Sequence, residues 1–103
     1  MKLYHKLIRD HIPEIIESKG GKAQIRRLSD EEYPIYLEAK LDEEVGEYHR
    51  DKNVEELADI LEVVYALAES LGCSKEELIK IYQKKHDDRG GFEKKLFLIA
   101  SEE

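Results

Sequence analysis

Only one cysteine, Cys73, and two prolines occur among the 103 residues. A lone thiol excludes an internal disulfide and a multi-cysteine zinc site, and it is compatible with a reducing compartment. Its ordinary role is that of a small buried residue near a helix end. No apolar run approaches the roughly 20 residues that cross a bilayer, and Met1-Lys2-Leu3-Tyr4-His5-Lys6 has no signal-peptide core. A cytoplasmic protein with no membrane partner is expected. Net positive charge is lacking too, since the formal charge is −7. A broad phosphate-tracking surface for a nucleic-acid polymer is therefore not indicated, though local basic clusters stay open.

What is present is charge and apolar surface in nearly equal parts, 40% and 41% of the chain. With no low-complexity run and no internal repeat, this describes one folded domain over 1–103, and helix is the first expectation. A domain this short buries a smaller share of its surface than a large one, so a second subunit would help it.

The helices are bounded by recognisable caps. Asp10 is expected to cap a first helix over about 10–19, with Pro13 tolerated in its opening turn and Gly20-Gly21 ending it. Lys2–Arg9 reads as extended or coiled, and Ala23–Leu28 as a short β-like or extended link. Ser29-Asp30-Glu31-Glu32 has the form of a capping box, opening a second helix to about Arg50 with Pro34 early in it. Asn53, three residues before Glu56, caps a third helix that ends at Gly72, so helices two and three form a hairpin. Ser74-Lys75-Glu76-Glu77 is another box, starting a fourth helix that ends near Arg89. Gly90-Gly91 is a stop, or a hinge that lets the tail with Phe92 and Leu96–Ile99 fold back. The middle of helix three, from Ile60 to Ala68, has almost no polar face, which is the mark of a helix covered on all sides. With only four helices available, a homodimer or homotetramer is expected to supply the cover.

The chemistry is carried by acids. Glu44 and Glu47 are three residues apart on helix two, and Glu56 and Asp59 are three apart on helix three. Positions i and i+3 share a helix face, and the hairpin bend brings the two pairs level. The bland reading is a solvated acidic face, common in a chain with 24 Asp plus Glu. Against it, Glu44 lies on the stripe Leu37, Leu41, Val45, Tyr48, and Glu56 shares the sector of Ile60, Val63 and Leu67. Four carboxylates beside a core repel one another unless a cation neutralises them. Oxygen-only ligation without cysteine or paired histidine favours Mg²⁺, with Mn²⁺ possible, over zinc. Glu43 points further round the helix, where it suits the orienting of a water. His5, His11, His49 and His86 have no ligand spacing and read as surface or local residues.

At these acids the chain resembles the all-α nucleoside triphosphate pyrophosphohydrolases, the MazG-like superfamily, whose motif Glu-Glu-x-x-Glu and Glu-x-x-Asp is met here by Glu43-Glu44-x-x-Glu47 and Glu56-x-x-Asp59. The flanks Lys6–Glu14 and Arg89–Lys95 resemble the phosphoribosyl-ATP pyrophosphohydrolase-like subgroup. The resemblance implies a helical bundle completed by oligomerisation. It also implies Mg²⁺-dependent hydrolysis of a (deoxy)nucleotide to monophosphate and pyrophosphate, in the manner of nucleotide-pool house-cleaning. On this reading Glu44, Glu47, Glu56 and Asp59 hold the metal, and Glu43 and Glu44 are the candidate catalytic carboxylates. Lys6, Arg9, Lys84, Lys85 and Arg89 are the candidate phosphate-binding cations, the arginines foremost because their fork suits phosphate oxygens. Ordinary surface charge is the alternative for each. Tyr48, Tyr65, Tyr82 and Phe92 are expected in the core or stacked on a base. Two other functions stay open: the phosphoribosyl-ATP pyrophosphohydrolase of histidine biosynthesis, and a non-catalytic helical interaction module.

Overall fold

Helix signals dominate the sequence, and the structure follows them. It is a computed structural model that describes residues 2–102; Met1 and Glu103, the ends of the expected domain, lie outside the described residues. Among the described residues there are four α-helices and no strand: α1 (Ile12–Ser18), α2 (Tyr33–Asp51), α3 (Val54–Ser70) and α4 (Lys75–Arg89). The link over 23–28 is coil, too short and too solitary to pair.

Each boundary has a local cause. The expected cap at Asp10 is corrected: α1 begins one residue later, with His11 at the N-cap position making no side-chain cap and Pro13 in the first turn. Its C-terminus closes as expected, Gly21 N–H donating to Ile16 O at 3.0 Å and Gly20 N–H to Glu17 O at 3.0 Å, with Gly20 at a φ of 85°. That is the paired hydrogen bonding of a glycine-ended helix. The Ser29–Glu32 box forms reciprocally: Glu32 N–H donates to Ser29 Oγ at 3.1 Å and Ser29 N–H to Glu32 Oε1 at 3.0 Å. The regular helix nevertheless starts at Tyr33, because Pro34 has no N–H to donate to Asp30 and the ladder skips that rung. Arg26 holds the box from outside, its guanidinium 2.9 Å from Glu32 Oε2.

The bend between α2 and α3 is two residues long. Lys52 takes the left-handed conformation, φ 53° and ψ 37°, and Asn53 Oδ1 accepts from Glu56 N–H at 3.0 Å. At the far end, Gly72 with φ 84° turns the chain, and Ser74 Oγ accepts from Glu77 N–H at 3.1 Å to start α4.

Side chains seven apart on a helix fall within about 20° of each other. Leu37 and Glu44 therefore share the inner face of α2, and Glu56 and Val63 that of α3. In the packed hairpin Leu37, Glu44, Val63 and Ala68 are buried, so carboxylates take over the α2–α3 interface where it nears the bend. α3 packs on α4 as well, while α1 packs on no other helix.

This core is small. Leu37, Val63 and Ala68 are the only buried apolar residues among those described, and Leu57 and Leu61 on α3 stay 46% and 48% exposed. The radius of gyration is 18.0 Å, against about 13 Å for a compact domain of this length. Tyr82 and Phe92 belong to no core; both are exposed. Among the described residues no helix is long and apolar enough to cross a membrane.

Candidate metal centre

The hairpin brings together three of the four acids expected to act as ligands. One carboxylate oxygen from each of Glu44, Glu56 and Asp59 lies within 4.8 Å of the others. Glu47 stands beside this group rather than in it, close enough that its charge acts on both Glu44 and Glu56. Glu44 is 7% exposed, the one buried charged residue among those described. Its Oε2 and that of Glu56 are buried oxygens without a hydrogen-bond partner.

Such atoms are expensive. A buried acceptor left without a donor has lost its water and gained no partner, and the loss is greater when it carries charge. The titration of both groups reflects this. Burial pushes Glu44 up from the ordinary carboxylate range; Lys40 opposes the shift, and the charges of Glu47 and Asp59 add to it. Glu56 is likewise pushed up, first by desolvation and then by Glu47, Asp51 and Asp59. Two proton-seeking carboxylates with orphaned oxygens, converging with a third, fit a hard divalent cation: it would satisfy the oxygens and cancel the repulsion together.

Glu43 sits on the rim, as its place round the helix implies. Its Oε1 takes a 3.1 Å ion pair from Lys6 Nζ, and its Oε2 a 2.8 Å pair from Lys40 Nζ. Burial alone would raise it, but the hydrogen bonds from Lys40 and Lys6 outweigh that and hold it below the usual range. Lys40 was not a sequence candidate. It reaches Glu44 Oε1 at 3.3 Å as well, with its side chain only 14% exposed. The signal was present, since Lys40, Glu43 and Glu44 have the i, i+3, i+4 spacing of helical ion pairs.

The extended N-terminal segment, which supplies Lys6, brings a second cation to the acids. Arg9 Nη2 lies 3.6 Å from Asp59 Oδ1 and 3.9 Å from Glu62 Oε1. Arg50, also absent from the sequence candidates, is held at the bend by Asp51 at 3.2 Å and feels the charges of Glu47 and Glu56.

Lys84, Lys85 and Arg89 are not part of this group within one chain. They lie on the exposed end of α4, where Lys84 pairs with Asp88 at 2.8 Å. Lys85 and Arg89 line a separate groove with Tyr82, His86 and Phe92. His86 and His49 are exposed, as the absence of ligand spacing implies.

No protein-family model matches the chain, and no solved structure matches it. One stretch of 42 residues is 57% identical to an uncharacterized protein of Mycolicibacterium smegmatis (strain ATCC 700084 / mc(2)155). The match covers 41% of this chain and 43% of that protein, so it spans less than half of either.

Proposed function

We propose that this chain is a Mg²⁺-dependent nucleotide pyrophosphohydrolase of the all-α, MazG-like kind, cleaving a (deoxy)nucleoside triphosphate to monophosphate and pyrophosphate. The observation that carries the reading is the convergence of Glu44, Glu56 and Asp59 with the buried, unpartnered oxygens of Glu44 and Glu56. Acids placed only for solubility face water. These face each other across a hairpin.

Glu44, Glu56 and Asp59 would hold the ion, with Glu47 alongside. When bound, Mg²⁺ (or Mn²⁺) would bind phosphate oxygens, offset their charge and make a water more acidic. The chain's own part is positioning. Glu43, kept ionised by Lys40 and Lys6, can accept a hydrogen bond from the attacking water, orient it toward the α-phosphorus and receive its proton. Arg9 can exchange its long contacts to Asp59 and Glu62 for closer ones to phosphate oxygens, stabilising the charge that moves onto leaving pyrophosphate.

The half-exposed Leu57 and Leu61 on α3 and the exposed Phe92 and Leu96–Ile99 support assembly into a homodimer or larger. Assembly is also the route by which Lys84, Lys85 and Arg89 could serve a carboxylate cluster, that of a second copy.

The test is pyrophosphate release from ribo- and deoxyribonucleoside triphosphates and from phosphoribosyl-ATP, with Mg²⁺ and with EDTA, in wild type and Glu44→Gln. Release that needs Mg²⁺ and is lost in Glu44→Gln is expected. A folded, Mg²⁺-loaded protein that releases nothing refutes the enzyme and leaves a helical interaction module. Release from phosphoribosyl-ATP alone would assign the biosynthetic activity.

A further inference from the structure

Two side-chain cations already sit on the converging carboxylates, and they differ in kind. Lys40 holds Glu44 at 3.3 Å and Glu43 at 2.8 Å from a side chain only 14% exposed, so it belongs to the packed helix face. Arg9 reaches Asp59 at 3.6 Å and Glu62 at 3.9 Å from a side chain 53% exposed, so its guanidinium is shared between two acids and loosely held in water. Its backbone is anchored. Ile12 N–H donates to Arg9 O at 3.1 Å in the turn that leads into α1, so the side chain can swing while its root stays beside the cluster. Even with both cations in place, the buried Oε2 atoms of Glu44 and Glu56 have no partner.

We infer that Arg9 is a gate on this centre. In the metal-free chain it caps Asp59 and weakens metal binding; when metal and phosphate are both present it transfers to phosphate oxygens, so that the two ligands bind cooperatively through it. The inference rests on the reading of Glu44, Glu56 and Asp59 as a metal centre and adds the regulation of that centre.

Asp59 is one of the three residues whose oxygens converge within 4.8 Å, so Arg9 sits on a carboxylate that a divalent cation would need. Two cations at one carboxylate repel each other. Arg9 is the side chain that can leave, because an exposed pair of long geometry costs little to break, whereas breaking the buried Lys40 pair strands a charge. Phosphate reverses the sign: anionic oxygens attract the metal and the guanidinium alike, and the planar fork of Arg9 suits them. When one ligand frees the group that the other needs, the two are coupled, and the coupling is reciprocal. Lys6 supplies the contrast. It comes from the same segment, but its partner Glu43, 3.1 Å away, lies outside the converging group, so Lys6 blocks no ligand.

Calorimetry on the full chain measures the two ligands separately, with Mg²⁺ alone and with inorganic pyrophosphate added at saturating Mg²⁺. Arg9→Gln is expected to tighten Mg²⁺ alone by roughly threefold, the scale of an exposed ion pair. The same substitution is expected to weaken pyrophosphate by roughly tenfold or more, the loss of charge-assisted hydrogen bonds. Arg9→Lys, which keeps the charge without the fork, is expected to leave Mg²⁺ near wild type and still lose pyrophosphate affinity. Lys6→Gln is expected to tighten Mg²⁺ less than Arg9→Gln does. Weaker Mg²⁺ binding in Arg9→Gln would make Arg9 a structural support, unchanged binding would make it a phosphate ligand only, and a gain equalled by Lys6→Gln would make the effect one of general charge; each overturns the gate, as does unchanged pyrophosphate affinity. If wild type binds no Mg²⁺, the metal reading falls and the gate with it. If Mg²⁺ and pyrophosphate bind but no triphosphate is cleaved, only the enzyme reading falls, and the same affinities still decide the gate.

Discussion

Lys40 and Glu44, one turn apart on α2, meet at 3.3 Å in a setting where the lysine side chain is 14% exposed and the glutamate 9%. Lys40 holds one oxygen of Glu44 while the other, Oε2, has no partner. The ammonium thus occupies part of the charge balance that a metal would complete, and a bound cation would compete with it for the same carboxylates.

Lys40→Met should separate these roles. Losing the ammonium leaves Glu44 buried beside Glu47 and Asp59, so urea unfolding in EDTA should show a loss of about 1–2 kcal/mol, scaled down from a fully buried pair. Mg²⁺ should bind more tightly, because a competitor is gone. Weaker Mg²⁺ binding by calorimetry would contradict the competition.

The pH dependence follows from the raised carboxylates. Glu44 and Glu56 hold protons more tightly folded than unfolded, so between their ordinary and raised values the native state binds more protons. Stability without metal then falls as pH rises through that window. With saturating Mg²⁺ the fall should vanish or reverse. Melting temperatures from pH 4.5 to 7.5, in EDTA and in Mg²⁺, measure both slopes.

Glu32 has the opposite sign. Its hydrogen bonds with Arg26 and Ser29 hold it down at about 2. Its stabilisation is present above the ordinary carboxylate value and lost as pH falls through about 2. Glu32→Gln should remove that acid-side loss and speed hydrogen exchange at the Tyr33 and Tyr36 amides, which donate to Ser29 O and Glu32 O. Unchanged exchange would mean that the box does not hold the start of α2.

Leu57→Asp tests assembly. This leucine is 46% exposed on a helix otherwise rich in apolar residues. Wild type should sediment as a dimer or larger at micromolar concentration, and the variant should shift toward monomer. A monomeric wild type would remove the oligomer from the reading.

Much of this was legible because the signals were local. Asn53, Ser74 and the glycine pairs act within one turn, and each ended or began a helix as its chemistry required. The pairing of Glu44 with Glu56 and Asp59 was legible too, since a short bend and helical spacing fix it together. What escaped depended on context. Asp10 had the right residue type, but the turn that places Ile12 N–H on Arg9 O puts His11 at the cap position instead. Pro34 silenced a rung that the Ser29 box had prepared. Lys40 escaped although it sits three and four positions before its partners, because the same spacing also fits an ordinary solvated ion pair. The distance of Lys84, Lys85 and Arg89 from the acids is a matter of tertiary arrangement that no spacing encodes.

The bend at Lys52-Asn53 gives the centre a mechanical character. Asn53 grips the backbone amide of Glu56 itself, and Lys52 holds a left-handed twist that costs a non-glycine residue about 1–2 kcal/mol. The two helices are the legs of a calliper and this bend is its pivot, so the opening between Glu44 and Glu56 is set at the hinge. Any preference for a small or a large ion would then be tuned there, by residues outside the carboxylate group itself.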